Sequence, residues 1–351
     1  MNYQYTKQFR QSLVAWFKKE HRDLPWRHTT EPYKIWVSEV MLQQTRVDTV
    51  IPYYDRFMEK YPTAESLAYA QEEELLKMWE GLGYYSRARN LQAGVREVVE
   101  VYGGQVPNNR VDISKLKGVG PYTAGAILSI AYGKPEHAVD GNVMRVLSRV
   151  LNIDADIALP KTKKIFEVAV MELIDAENTS AFNQGLMELG ALICTPTSPK
   201  CLLCPVRDYC TAFHEGDPTS LPVKTKKVKT KDLDYDVFVV RDDEGRFLME
   251  KRDESGLLAN MWQFIMIERN ENIVSLTKAA EQYGLNLDTV SIPIVNFKHV
   301  FSHLRWHVDS YLVDAKSITG QLPANAAFFT KEKIEHLPMP VPMLKIWEKL
   351  K

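Results

Sequence analysis

All four cysteines of this 351-residue chain lie between positions 194 and 210, as Cys194, Cys201, Cys204 and Cys210. A chain that confines its cysteines to one short segment uses them as ligands. Structural zinc sites usually pair two C-x2-C knuckles across a longer gap. The spacing here is uneven, with one such knuckle flanked by a wider interval on each side. That pattern favours a [4Fe–4S] cluster over zinc. Four unrelated buried cysteines are disfavoured by the clustering. Two disulfides are disfavoured as well, because the opening stretch MNYQYTKQFRQ has no apolar signal region and the chain reads as cytoplasmic.

Two further groups of residues could do chemistry. In Leu116-Lys117-Gly118-Val119-Gly120-Pro121-Tyr122-Thr123-Ala124-Gly125-Ala126, one helix ends, a Gly-x-Gly turn follows and a new helix starts at the proline. Glycine at Gly118 and Gly120 permits positive φ and close approach of another backbone. Pro121 suits a first helical turn, whose free N–H groups can hold a phosphate. This is a helix-hairpin-helix, which grips a nucleic-acid backbone without reading sequence. The second group is a pair of carboxylates. Glu39 sits in an apolar helix beside Val37, Val40 and Met41; burial there raises a carboxyl pKa towards neutrality. The plainer alternative is a half-exposed helix glutamate. Asp140 precedes Gly141-Asn142 at a helix start, where the dipole favours its ionised form. A simple N-cap is the alternative, and one residue can serve both roles.

The elements that must position these residues are mostly helical up to about residue 215. Apolar residues recur at helical spacing over 9–17, 33–57, 72–79, 88–101, 123–132, 143–151 and 181–192, with Gly and Pro between them. Residues 216–232 lack periodicity and hold five lysines against two aspartates, a basic linker. From 233 to 351 the pattern is α+β. Strands at 236–240 and 246–250 form a hairpin, another strand covers 304–313, and a helix covers 273–283. Three regions follow: 1–215, 216–232 and 233–351. The formal net charge of −1 excludes a globally basic nucleic-acid binder and leaves a local basic face open. No apolar run reaches membrane-spanning length.

The hairpin, the following Val139-Asp140-Gly141-Asn142 and the cysteine cluster together resemble the endonuclease III superfamily of DNA glycosylases. Three further stretches resemble its MutY branch, the adenine DNA glycosylases: Glu39-Val40-Met41-Leu42-Gln43-Gln44-Thr45, Gly81 through Asn90, and Phe301-Ser302-His303. The resemblance implies base-excision repair of adenine opposite 8-oxoguanine or guanine in duplex DNA, by a monomer without membrane contact. It implies that Glu39 protonates adenine N7 and then activates water. Asp140 would stabilise the oxocarbenium ion, with or without a transient covalent adduct. Members that also cleave the strand carry a lysine where this chain has Tyr122, and a phenol cannot form a Schiff base. Hydrolysis leaving an abasic site is therefore expected. A bifunctional glycosylase/lyase acting on oxidised pyrimidines is the enzymatic alternative, and an iron–sulfur DNA-binding or redox protein the non-enzymatic one.

By the same resemblance, Trp26, Arg27, Gln184, Tyr122 and Asn142 line an adenine pocket. Gln44, Thr45 and Tyr84 enter the duplex near the lesion pair, while Gly118 and Gly120 meet its backbone. Carbonyls of Ser114, Leu116 and Val119 face a monovalent cation. The cluster stands apart from the reaction, and Lys200 in its loop can offer charge to a phosphate. The C-terminal region resembles a Nudix-like, MutT-like domain. It lacks the arginine–glutamate box that would hold Mg²⁺, so nucleotide hydrolysis is not expected. Recognition of 8-oxoguanine is assigned to Phe301, Ser302 and His303. The spacing of His299, His303 and His307 invites a metal reading, which is set aside because His307 falls on a strand and no partner carboxylate accompanies it. One departure from the family is that Trp262-Gln263-Phe264 runs into Ile265-Met266-Ile267-Glu268 where Pro and Gly are usual, so a different loop is expected there.

Overall fold

The computed structural model describes residues 3–225, 230–269, 275–288 and 291–351. They form two compact units: Met1–Tyr69 with Arg89–Lys226, and Ala70–Ala88 with Lys227–Lys351. Lys226, Lys227 and Lys229 of the expected linker lie outside the described residues. Lys231 and Asp232 already belong to a strand.

The first unit is helical. Thr6–Glu20 turns Phe9, Leu13, Val14 and Phe17 onto one buried stripe, as 3.6-residue periodicity requires. Pro32–Leu42 and Pro121–Ile130 both begin on a proline, whose missing N–H costs nothing at a first turn. Phe9, Leu13, Val143, Leu147, Phe166, Phe182 and Leu186 meet in one core. That core fixes Gly141–Val150 and Thr179–Leu192 against the N-terminal helix.

Three sequence expectations need correction here. The apolar run from Tyr33 to Phe57 is two helices, Pro32–Leu42 and Val47–Lys60. Between them Gln44 takes a left-handed φ of 58°. The helix Lys163–Leu173 escaped the periodicity because Ile165, Val168 and Met171 are exposed while Phe166, Ala169, Val170 and Leu173 are buried. In the hairpin only Gly118 uses positive φ, at 78°. Gly120 is extended, and a side chain built on it would meet nothing within 4 Å. That open approach is what a passing backbone needs. Gly125 is tighter: an added Cβ would lie 1.7 Å from the His137 carbonyl oxygen.

The second unit is a mixed sheet of eight described strands: β1 Lys231–Arg241, β2 Phe247–Lys251, β3 Trp262–Gln263, β4 Ile265–Glu268, β5 Leu285–Leu287, β6 Ile292–Val300, β7 Leu304–Ile318 and β8 Ala326–Phe329. β1 and β2 form the expected antiparallel hairpin, and β1 runs parallel to β7. Alternation along β1 sends Val237 and Val239 into one cluster with Trp306, Met343 and Trp347, and Phe238 and Val240 into another with Ile265 and Tyr283. The departure at Trp262 resolves as strand rather than loop: β3 pairs with β2, and β4 pairs with β1. His307 does have a carboxylate partner, Asp232 of the neighbouring strand, at 2.7 Å.

Ala70–Ala88 joins this unit through polar contacts. Asn260 Nδ2 donates to Glu72 at 2.7 Å, and Lys251 Nζ and Trp262 Nε1 donate to Glu73 at 2.8 and 3.2 Å. Lys77 Nζ donates to the Leu337 carbonyl, and the Met339 N–H donates to Glu80. Among the described residues, no helix is long and apolar enough to cross a membrane.

Candidate active site and metal centre

A cavity of about 530 Å³ opens in the helical unit. Trp26, Arg27, Glu39, Gln44, Thr45, Tyr122, Asp140, Asn142 and Gln184 all line it. The break after Leu42 brings Gln44 to the cavity, and the hairpin helix presents Tyr122 to it. Trp26 is buried and packs edge-on against Tyr54.

Glu39 is 5% exposed. The Tyr122 hydroxyl donates to its Oε2 at 2.6 Å. Burial pushes the Glu39 carboxyl up to about 7, and the Asp140 charge works in the same direction. The Tyr122 hydrogen bond and the Arg27 charge oppose the rise without cancelling it. Glu39 thus holds a proton near neutral pH and can release it.

Asp140 caps Gly141–Val150. Its Oδ1 accepts the Val143 N–H at 2.7 Å, and its Oδ2 accepts Asn142 Nδ2 at 2.9 Å. The expectation that the helix start favours its ionised form is outweighed here. Burial raises the Asp140 carboxyl above its ordinary value, and the Val143 and Asn142 hydrogen bonds only temper that. Arg145 donates to Asn142 Oδ1 and to the carbonyls of Gly190 and Cys194, each at 2.8 Å.

Several charged residues escaped the sequence reading: Arg145, Arg149 beside the cysteines, and the pair Arg22 and Glu188. Glu188 is 1% exposed and accepts forked hydrogen bonds from both Arg22 and Arg27, at 2.8 to 3.0 Å. Burial alone would raise its carboxyl, but the two guanidinium groups hold it at about 2. The signal was available: Gln184 and Glu188 share a face of an apolar helix, one turn apart.

The four cysteines, none of them in a disulfide, line a second cavity together with Arg149. Arg149, 1% exposed, donates to Cys194 Sγ at 3.3 Å and to the carbonyls of Thr195, Pro196 and Leu221. Burial and neighbouring cysteines push the Cys204 thiol up to about 12 and Cys210 to about 11. Four thiolates held so close require a cationic centre to neutralise them, which is what iron supplies. Among the described residues no three ligand side chains could hold a single metal ion. All four cysteines line the one cavity.

In the second unit, Tyr84 takes a left-handed φ of 48° and is 46% exposed. Its hydroxyl lies 2.6 Å from Ser302 Oγ. Phe301 packs edge-on against Trp306, with ring centroids 4.7 Å apart, while Ser302 and His303 are exposed.

Three family models match the chain. Residues 37–175 match the HhH-GPD superfamily of base excision DNA repair proteins, 194–210 the iron–sulfur binding domain of endonuclease III, and 236–349 the NUDIX domain. The chain is 35% identical to an adenine DNA glycosylase of Rattus norvegicus, across 97% of this chain and 77% of the relative. It is 33% identical to an adenine DNA glycosylase of Buchnera aphidicola subsp. Schizaphis graminum, across 97% of this chain and 98% of the relative. A trapped endonuclease III–DNA covalent intermediate matches 61% of this chain and 98% of its own, with a TM-score of 0.52 at 27% identity. With its helical repair region, its iron–sulfur segment and its Nudix region all in place, the chain belongs to the adenine DNA glycosylase family.

Proposed function

We propose that this enzyme hydrolyses the N-glycosidic bond of adenine paired with 8-oxoguanine or guanine in duplex DNA, leaving an abasic site with the strand intact. The observation that carries the reading is Glu39: a buried carboxyl at about 7, hydrogen-bonded by Tyr122, in a cavity shared with Asp140. Adenine extruded from the stack enters that cavity. Glu39 gives its proton to adenine N7, and the bond between N9 and C1′ breaks with its electrons leaving on the base. The cationic sugar is stabilised by the Asp140 carboxylate. Glu39, now ionised, takes a proton from water as the water oxygen bonds to C1′. The Asp140 charge disfavours ionisation of Glu39, which helps to keep the proton on Glu39.

Tyr122 supports a hydrolytic rather than a strand-cleaving outcome. No lysine is among the described residues lining the cavity, so no amine stands ready for the sugar aldehyde. The four cysteines would hold a [4Fe–4S] cluster. The carbonyls of Ser114, Leu116 and Val119 at the hairpin would face a monovalent cation, and the free N–H groups after Gly120 would meet a phosphate. The exposed pair Tyr84 and Ser302 would read the oxidised base.

The test is single-turnover adenine release from duplex carrying adenine opposite 8-oxoguanine, with adenine opposite thymine as control. Release at the oxidised pair, lost in Glu39→Gln and giving no borohydride-trapped adduct, supports the reading. No release from iron-loaded protein sinks it, and a trapped adduct with strand nicking replaces it with a bifunctional enzyme.

A further inference from the structure

Four groups form a hydrogen-bonded chain along one wall of the cavity, where Glu188, Arg27 and Gln184 are lining residues and Ser180 stands beyond them. The Glu188 carboxylate accepts both Nη groups of Arg27, at 3.0 and 2.9 Å. Arg27 Nη1 also donates to the Arg22 carbonyl, and Arg27 Nε donates to Gln184 Oε1 at 3.3 Å. Gln184 Nε2 lies 3.0 Å from Ser180 Oγ. The chemistry of these groups gives the line a direction. A carboxylate held at about 2 only accepts hydrogen bonds, and a guanidinium only donates them. A serine hydroxyl does both and imposes nothing. A primary amide carries an acceptor on one side and a donor on the other, and it can turn over. Here it is not free to turn, since the reversed amide would set its N–H against the Arg27 Nε–H.

We propose that Glu188 is a specificity-determining positioning residue. Acting through Arg27, it locks the Gln184 amide with its oxygen on the side of Arg27, so that the cavity meets a purine 6-amino group with an acceptor and rejects a 6-carbonyl. Adenine carries the amino group at that position, while guanine and hypoxanthine carry the carbonyl. A free amide would turn to suit either. The inference rests on the proposed function, because it concerns the base that enters the cavity.

The test compares adenine with hypoxanthine at the same position of the same duplex, by single-turnover release. The intrinsic lability of each glycosidic bond cancels when ratios are compared between proteins. In Glu188→Gln the adenine-over-hypoxanthine ratio is expected to fall about tenfold, because the new amide no longer fixes the line. Glu188→Gln also leaves two guanidinium groups without their anion. Arg27→Gln, which keeps the Arg22–Glu188 pair, should lower the ratio in the same way and serves if the first variant does not fold. Adding Gln184→Glu to either variant should restore the ratio, since an ionised carboxylate has no donor to turn towards the base. Parallel loss of both activities at an unchanged ratio overturns the lock and leaves Glu188 a structural residue. Failure of Gln184→Glu to restore the ratio overturns it as well. A wild-type protein that releases neither base overturns the proposed function, and the lock with it.

Discussion

The cavity of the helical unit and the exposed tip of the second unit are built on opposite principles. The cavity carries buried titratable groups that neighbouring side chains and backbone hold by hydrogen bonds. Glu39 reaches about 7 chiefly because water is excluded from it. The tip is exposed: Tyr84 and Ser302 hold one another through hydroxyls, and the Arg87 guanidinium lies over the Tyr84 ring. Both use a residue with left-handed φ, Gln44 in one and Tyr84 in the other, to present a side chain that ordinary backbone would turn away. Proton transfer needs a shifted pKa and therefore burial, whereas reading a base edge needs donors and acceptors that remain accessible.

The comparison breaks most sharply at Glu39. Glu39→Gln should slow adenine release by about 10³-fold while leaving duplex affinity nearly unchanged, seen by single-turnover kinetics beside a binding titration. A smaller loss would mean that burial around Glu39 serves folding and not proton transfer. Gly190→Ala should cost about 10²-fold, because its Cβ would sit 2.7 Å from Asn142 Cβ and displace the turn that holds Asp140. The same variant should lower the melting temperature, by overpacking worth about 1–3 kcal/mol.

The wild-type rate should be bell-shaped in pH: it falls as pH rises through about 7, since Glu39 must be protonated to act, and falls again in acid as the raised Asp140 carboxyl takes up a proton. Tyr122→Phe removes a hydrogen bond that favours the ionised form of Glu39. The upper fall should therefore move to higher pH, with a loss of about tenfold in the maximal rate. An upper fall that moves to lower pH would contradict the donor role of the hydroxyl. The smallest effect belongs to the tip. Tyr84→Phe should weaken binding to the oxidised pair by about 1 kcal/mol and leave the pH at which the rate falls where it was.

The cysteine cluster, the hairpin and the two carboxylates were legible because each is a local pattern: a spacing, a Gly-x-Gly turn, an acid in an apolar run. The cavity lining was legible only through resemblance, because Trp26, Gln184 and Asp140 come together through packing of distant helices. Glu188 was missed for a related reason. Its meaning depends on Arg22 and Arg27, which stand far from it in sequence. The break at Gln44 was hidden by continuous apolar periodicity on both sides, and the helix at Lys163–Leu173 by its apolar outer face. The Asp140 carboxyl shows the remaining limit. A sequence can place an acid at a helix start, but only the fold shows how far water is excluded there.

The assignment of Ala70–Ala88 to the second unit carries a consequence for synthesis. The Glu73–Lys251 bond joins residues 178 positions apart. On a ribosome, this stretch emerges early and its partners emerge last. The segment therefore waits until nearly the whole chain is made before its partners exist. A gene fragment encoding only 227–351 would lack the helix that accepts the side chains of Lys251, Asn260 and Trp262. Any attempt to transplant the second unit alone needs the early segment grafted with it.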